Sequence, residues 1–411
     1  MVAASRETRG RVSVAAPMTA LATAPTHTDE SQWASMLRRT GLAFVLSRLC
    51  VLAGAAIVAA QEVAEANRLE LPRPNNAVGL ITQVLTSWDG AWYYRIIRDW
   101  YPTSIPPDIT YEMPEARAAF FPVYPMLVRA VDAVLPGGDV FAGLVLNTLL
   151  GALAIWLVGL LAREVFGERV AYRAMLLMVF FPGSFVLSFA YSEATLIAVA
   201  AGCLLCLHRR HWLAAGVLAL IGTGTRPNGL ALVAACAVAA LFAIRDRREW
   251  RALVAPALAP IGFIAFQWYL YARTGEWAWF RVQTEAWDEG TSFGWTALKN
   301  TLEAFIHPLS SPTDIITAVS FLSMIALLVV MWKRRIPAPW VAFTLVVLAL
   351  MILPATVTAR PRFLYTAFPA FIAVAAWWPD DRDEAWGATI AMGAAGLVAL
   401  TGLYGVLGAI P

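Results

Sequence analysis

Asp89 stands in Ser87-Trp88-Asp89-Gly90-Ala91-Trp92-Tyr93-Tyr94, one carboxylate among four aromatic rings, shortly after the first long apolar run. Amphipathic rings settle at the boundary between water and hydrocarbon, and an acid held there is costly without a partner. A carboxylate in that setting suits a general base acting on a hydroxyl at the membrane surface. The same residue also suits a plainer role, the N-cap of the helix that follows.

The basic residues offer the complementary chemistry. Arg226 lies in Gly222-Thr223-Gly224-Thr225-Arg226-Pro227-Asn228-Gly229, whose glycines and proline break the helix between two apolar runs. Broken backbone at membrane depth has to face protein or a wet cavity. A guanidinium there can pair with a phosphate, or simply snorkel from a turn. Arg360 and Arg362 flank Pro361 at the start of a later run, where guanidiniums suit a lipid phosphate or an interfacial anchor.

Glu193 follows Tyr191 and Ser192 in a tight hairpin between apolar runs. It needs an arginine or a sugar hydroxyl as partner, unless it serves as an acid at a helix N-terminus. Asp288, Glu289 and His307 fall in a later polar stretch, where their spacing singles none of them out and a surface position is expected. Cys50, Cys203, Cys206 and Cys236 all sit in apolar runs and read as small buried hydrophobes.

The elements that must position these residues are membrane spans. Hydrophobic residues make up 59% of the 411 and charged residues 14%, which predicts an all-α polytopic membrane protein and excludes an ordinary soluble domain. Spans are expected near 41–61, 140–162, 172–190, 193–207, 212–225, 229–244, 252–272, 314–332, 338–356, 362–378 and 386–409, eleven in all. Residues 1–38 read as a disordered cytoplasmic tail, and 39–411 as the transmembrane domain. Two long segments between spans, 62–139 and 273–313, are rich in Trp and Tyr.

Residues 118–135 could be a twelfth span, and charge arbitrates. Leaving them out puts the tail on the same side as four basic loops: Arg163, Arg169 and Arg173; Arg209 and Arg210; Arg245, Arg247, Arg248 and Arg251; Lys333, Arg334 and Arg335. That satisfies the positive-inside rule. The two long segments and Asp89 then face outwards, and 118–135 becomes a surface helix. Arg dominates the basic residues, with Lys only at 299 and 333, a bias pointing to GC-rich coding and a bacterial plasma membrane.

Taken in order, several stretches resemble the PIG-V-like mannosyltransferases of the GT-C superfamily. These are Trp88-Asp89-Gly90 with Trp92-Tyr93; Tyr101-Pro102; Ala119-Phe120-Phe121-Pro122 with Tyr124-Pro125; Pro182 with Tyr191-Ser192-Glu193; Arg226 with Asn228-Gly229; and Pro361-Arg362-Phe363. The resemblance covers roughly residues 85–365. It implies a GT-C fold whose first extracytoplasmic loop carries the catalytic acid, here Asp89. It also implies a polyprenyl-phosphate-mannose donor, no cofactor, generally no metal, and inversion to an α-mannoside.

On that basis Arg226, Arg360 and Arg362 are expected at the donor phosphate. Trp88, Trp92, Tyr93, Tyr191, Glu193 and Asn228 are expected around the substrates. The partners expected are a lipid-linked or glycan acceptor and membrane lipids, with no nucleic acid. Three other readings stay open: a GT-C enzyme using another polyprenyl-phosphate sugar; a lipid or sugar transporter, although the repeated halves of many transporters are not found; and a non-catalytic membrane scaffold.

Overall fold

The computed structural model describes residues 27–72, 76–309 and 311–411. Among the described residues the chain is helical, and extended pairing is confined to an isolated antiparallel bridge between Thr291 and Pro354. Among the described residues, six helical stretches are long and apolar enough to cross a membrane: Ser31–Arg68, Gly138–Phe166, Pro227–Arg247, Trp250–Thr274, Pro312–Lys333 and Asp383–Gly405. Four shorter apolar helices accompany them: Glu193–His208, Trp212–Thr223, Ala338–Ile352 and Phe368–Trp377. The protein is thus the all-α, multi-pass membrane protein that its composition predicts.

The short helices have local causes. The span expected at 172–190 is a helix over Glu168–Phe180, followed by a 3-10 turn over Pro182–Leu187. Pro182 lacks the amide that would continue the helix, and it disfavours helical backbone at Phe181. The span expected at 362–378 is two helices, Pro361–Thr366 and Phe368–Trp377, which meet at Ala367. Glu193–His208 is buried on nearly every side, as an all-apolar helix must be at the centre of a bundle. Residues 118–135 contain a helix over Val123–Asp132; ten residues rise about 15 Å, too little to cross a bilayer.

One boundary is corrected. The first helix begins at His27, not after the expected tail end at residue 38. Trp33 and Thr40 are buried and Leu37 half-buried, continuing to Phe44 as one helical stripe against the bundle. The Trp33 ring also lies 4.6 Å from the Arg163 guanidinium. The apolar density of 1–38 is too low to mark a span, but it suffices for a helix extended by a packed stripe. The rest of that tail, residues 1–26, lies outside the described residues.

Two cores result. The larger fills the helix bundle, and the second is built from the two long segments between spans. Tyr93, Tyr101, Phe121 and Tyr124 of the first segment pack with Ala278, Val282 and Ala286 of the second and with Phe266. Indole donors tie the two together, from Trp279 to the Ala119 carbonyl at 3.1 Å and from Trp287 to the Ala116 carbonyl at 3.3 Å. Arg281 adds a bond to the Pro106 carbonyl at 2.6 Å. The Asp89 helix belongs to the second core, while Trp88 just before it packs against the first.

Candidate active site

Asp89 is the first residue of the helix Asp89–Asp99. The residue before it is held unusually: Trp88 has φ 56° and ψ −122°. A bulky side chain in that region costs on the order of 1–3 kcal/mol, and such strain concentrates at functional sites. The Trp88 indole donates to the Tyr404 carbonyl at 2.9 Å and so fixes the turn. The N-cap alternative for Asp89 is not realised, since Trp88 occupies that position without a side-chain cap. Asp89 Oδ2 instead accepts from Nη1 of Arg362 at 2.6 Å.

Glu193 opens the helix Glu193–His208 and is fully buried. Its hairpin is anchored from several sides. The Ala190 amide donates to the Leu85 carbonyl at 2.8 Å, linking it to the turn before Asp89. Asn147 Nδ2 donates to the Tyr191 carbonyl at 2.8 Å and also to the Phe189 carbonyl. Arg48, buried in the first helix, binds the Ser184 carbonyl at 2.8 Å and the Ser188 hydroxyl at 3.0 Å.

Arg226 has extended backbone just ahead of the 3-10 turn Pro227–Leu230. Arg362 is the second residue of the helix Pro361–Thr366. Gly183 lets that helix approach, because a Cβ there would lie 2.5 Å from the Pro361 carbonyl oxygen. No real Cβ tolerates such a contact with backbone, so Gly183 helps to seat Arg362.

These elements bring four charged side chains together. Arg226 Nη1 lies 2.6 Å from Glu193 Oε1, and Arg362 Nη1 lies 2.6 Å from Asp89 Oδ2. The cross pairs, Arg226 to Asp89 and Arg362 to Glu193, are each 4.0 Å. Side-chain exposure is 16% for Asp89, 10% for Arg226, 8% for Arg362 and zero for Glu193. Two guanidiniums and two carboxylates therefore balance in a nearly dry site.

Aromatic rings wall it. Phe363 lies 4.6 Å from the Arg362 guanidinium and 6.0 Å from that of Arg226, while Tyr191 lies 5.6 Å from Arg362. The Ser192 hydroxyl accepts from Arg226 at 3.3 Å and shares a 2.7 Å bond with the Tyr93 hydroxyl. Burial pushes the Tyr93 phenol well above its ordinary range, so it stays protonated at neutral pH.

The site keeps unused hydrogen-bonding capacity. The 2.6 Å approach of Arg226 to Glu193 is ionic but off the hydrogen-bond axis, so neither Glu193 oxygen is satisfied. Arg362 Nε, the Tyr191 hydroxyl and Asn228 Nδ2 are also buried without partners. Such groups are expensive unless a ligand completes them.

The remaining expected site residues stand further out. Trp92 is half-buried against Phe120 and Trp287, with Arg95 over its ring at 4.3 Å. Arg360 does not join the quartet: its Nε donates to the Ile410 carbonyl at 3.1 Å and its Nη1 to the Thr317 hydroxyl. Burial lowers Arg360 to about 10, still protonated at neutral pH. Ser192 and Phe363 complete the site although neither was among the expected site residues; only their adjacency to Glu193 and Arg362 could have marked them. A cavity of about 310 Å³ beside Tyr94, Arg95, Arg98 and Asp99 lies across the same helix from Asp89 and does not include the quartet.

No family model matches the sequence, and no curated protein matches it. Among solved structures the chain is similar to ArnT from Cupriavidus metallidurans bound to undecaprenyl phosphate, with 17% identity and a TM-score of 0.47 over 80% of this chain and 65% of that one. It is also similar to the Archaeoglobus fulgidus oligosaccharyltransferase in complex with Zn and sulfate, with 15% identity and a TM-score of 0.44 over 86% of this chain and 53% of that one. The chain spans less than two thirds of either protein.

Proposed function

We propose that the chain is a GT-C-type glycosyltransferase, PIG-V-like, that transfers mannose from a polyprenyl-phosphate-mannose donor to a lipid-linked or glycan acceptor. The observation that carries this reading is the quartet itself. Four side chains from separate segments converge on one site: a carboxylate able to take a hydroxyl proton beside guanidiniums able to receive a phosphate.

The chemistry needs little more. The acceptor oxygen attacks the anomeric carbon as Asp89 takes its proton, and the bond from that carbon to the phosphate oxygen breaks. The electron pair leaves with the lipid phosphate, whose charge Arg362 and Arg226 stabilise. The transition state resembles an oxocarbenium ion, and attack opposite the leaving group inverts the centre. Because the arginines are already paired, phosphate binding draws them from the carboxylates and releases Asp89 as a base. Arg360, two residues before Arg362, supports the same segment.

Charge asymmetry supports an extracytoplasmic site in a bacterial plasma membrane. Glu193 starts a 16-residue helix and Arg209 and Arg210 follow its end, which separates them by about 24 Å. Arg226 precedes the stretch Pro227–Arg247, which ends at Arg245 and Arg247. The quartet and the basic loops thus lie at opposite ends of the same helices, and the positive-inside rule turns the quartet outwards.

The test is mannosyl transfer by the purified protein in nanodiscs, using polyprenyl-phosphate-mannose beside the glucose and arabinose analogues. Product from the mannose donor alone is expected. Product from another donor would reassign the sugar, and lipid or sugar flux into liposomes without product would replace the enzyme by a transporter.

A further inference from the structure

The segment that delivers Arg362 is clasped by the second long segment between spans. Ser292 donates its amide to the Leu353 carbonyl at 2.8 Å and its hydroxyl to the Pro354 carbonyl at 3.1 Å. The Ala355 amide donates to the Gly290 carbonyl at 2.8 Å, and the Thr356 hydroxyl to the Asp288 carbonyl at 2.6 Å. The last link is a side chain: Glu289 Oε1 accepts from the Val357 amide at 3.2 Å. Its other oxygen, Oε2, is buried with no hydrogen-bond partner. Asp288 and Phe293, at either end of the clasp, hold φ of 50° and 51°.

We propose that Glu289 is a positioning residue, a proton-linked catch that closes the clasp on residues 353–357 and so holds Arg362 against Asp89. Glu289 was expected at the surface; the structure half-buries it against this segment instead. The charged groups facing it are Arg360 and Asp288. Its consequence for substrate, tighter capture of the lipid phosphate when the clasp is closed, rests on the function proposed above.

The sign of the proton linkage follows from burial. Desolvation raises Glu289 from 4.5 to about 7, against the pull of the Val357 and Thr356 amides and of Arg360. A carboxyl whose pKa is higher in the closed form favours closure when protonated. The extra closure is complete below pH 4.5 and declines through the interval up to about 7. Above that both forms are ionised and the effect is flat. Within the interval the closed-to-open ratio falls by up to about tenfold per pH unit.

The test compares wild type with Glu289→Gln, which keeps an acceptor for the Val357 amide but cannot ionise. Hydrogen exchange of the 357–360 amides, corrected for intrinsic rates, should be equally slow in both at pH 4, below the interval. By pH 7.5 wild type should exchange about tenfold faster or more than E289Q. Binding of polyprenyl phosphate should follow, with the wild-type to E289Q ratio of Kd rising over the same interval. That ratio cancels titration of the phosphate itself. Glu289→Ala, which removes the acceptor, should exchange fast at every pH. Equal exchange by wild type and E289Q across the range would overturn the catch. Exchange that follows the expected course without polyprenyl phosphate binding at any pH would keep the catch and remove the proposed substrate.

Discussion

Arg362 donates to Asp89 across 2.6 Å, joining side chains 273 positions apart in the chain. Arg226 approaches Glu193 equally closely, so each carboxylate has one near arginine and one at 4.0 Å. The four formal charges of the quartet thus cancel, and an anion entering it competes with the carboxylates for the guanidiniums.

That pairing sets the stability of the site. Removing one member of a buried pair leaves an uncompensated charge and costs on the order of 3–5 kcal/mol. Arg362→Gln should therefore lower the thermal midpoint sharply. The double variant D89N/R362Q should recover part of the loss, with a coupling energy of about 0.5–3 kcal/mol. Strictly additive losses in thermal unfolding of the four-member cycle would show that the pair contributes little.

Gly183 gives a structural route to the same arginine. A methyl group there would press on the Pro361 carbonyl at 2.5 Å and on the Phe181 ring at 2.9 Å. Overpacking of this kind costs about 1–3 kcal/mol, so Gly183→Ala should lower stability by that amount. It should also reduce polyprenyl phosphate binding by displacing Arg362. A variant with wild-type stability and binding would mean that the helix start yields without moving its arginine.

Arg360 and Arg362 should separate in function. Arg360 is committed to the Ile410 carbonyl and Thr317, whereas Arg362 has a free Nε in the site. Lysine retains the charge but not the planar fork of arginine. R362K is expected to weaken polyprenyl phosphate binding at least tenfold more than R360K, measured by titration in nanodiscs. Equal losses would place both arginines on the phosphate.

Orientation can be tested independently of activity. In a cysteine-free background, lacking Cys50, Cys203, Cys206 and Cys236, an impermeant maleimide added to whole cells should label a cysteine at exposed Tyr111. A cysteine at exposed Arg247 should react only after lysis. The reverse pattern would turn the site to the cytoplasm.

Much of the fold was legible in the sequence because apolar length and charge placement act locally. Among the described residues, helices emerge close to the expected spans, six of them long enough to cross, and the helix that ends at Phe180 stops just before Pro182. Individual site residues were legible as costly types in apolar surroundings, notably Asp89, Glu193, Arg226 and Arg362. Their convergence was not, because it arises from packing among remote segments. Arg360 and Arg362 read alike in sequence, yet Pro361 starts a helix between them and sends their guanidiniums to different partners. Glu289 gave no signal because its environment is made by a loop more than sixty positions away.

The most direct measurement is mannosyl transfer by Asp89→Asn, using purified protein, polyprenyl-phosphate-mannose and a correctly folded preparation. Losing a general base typically costs about 10²–10⁴-fold in rate. A fall in kcat of that size, with polyprenyl phosphate binding retained, is expected. Transfer at the wild-type rate would contradict the assignment of Asp89 as the base.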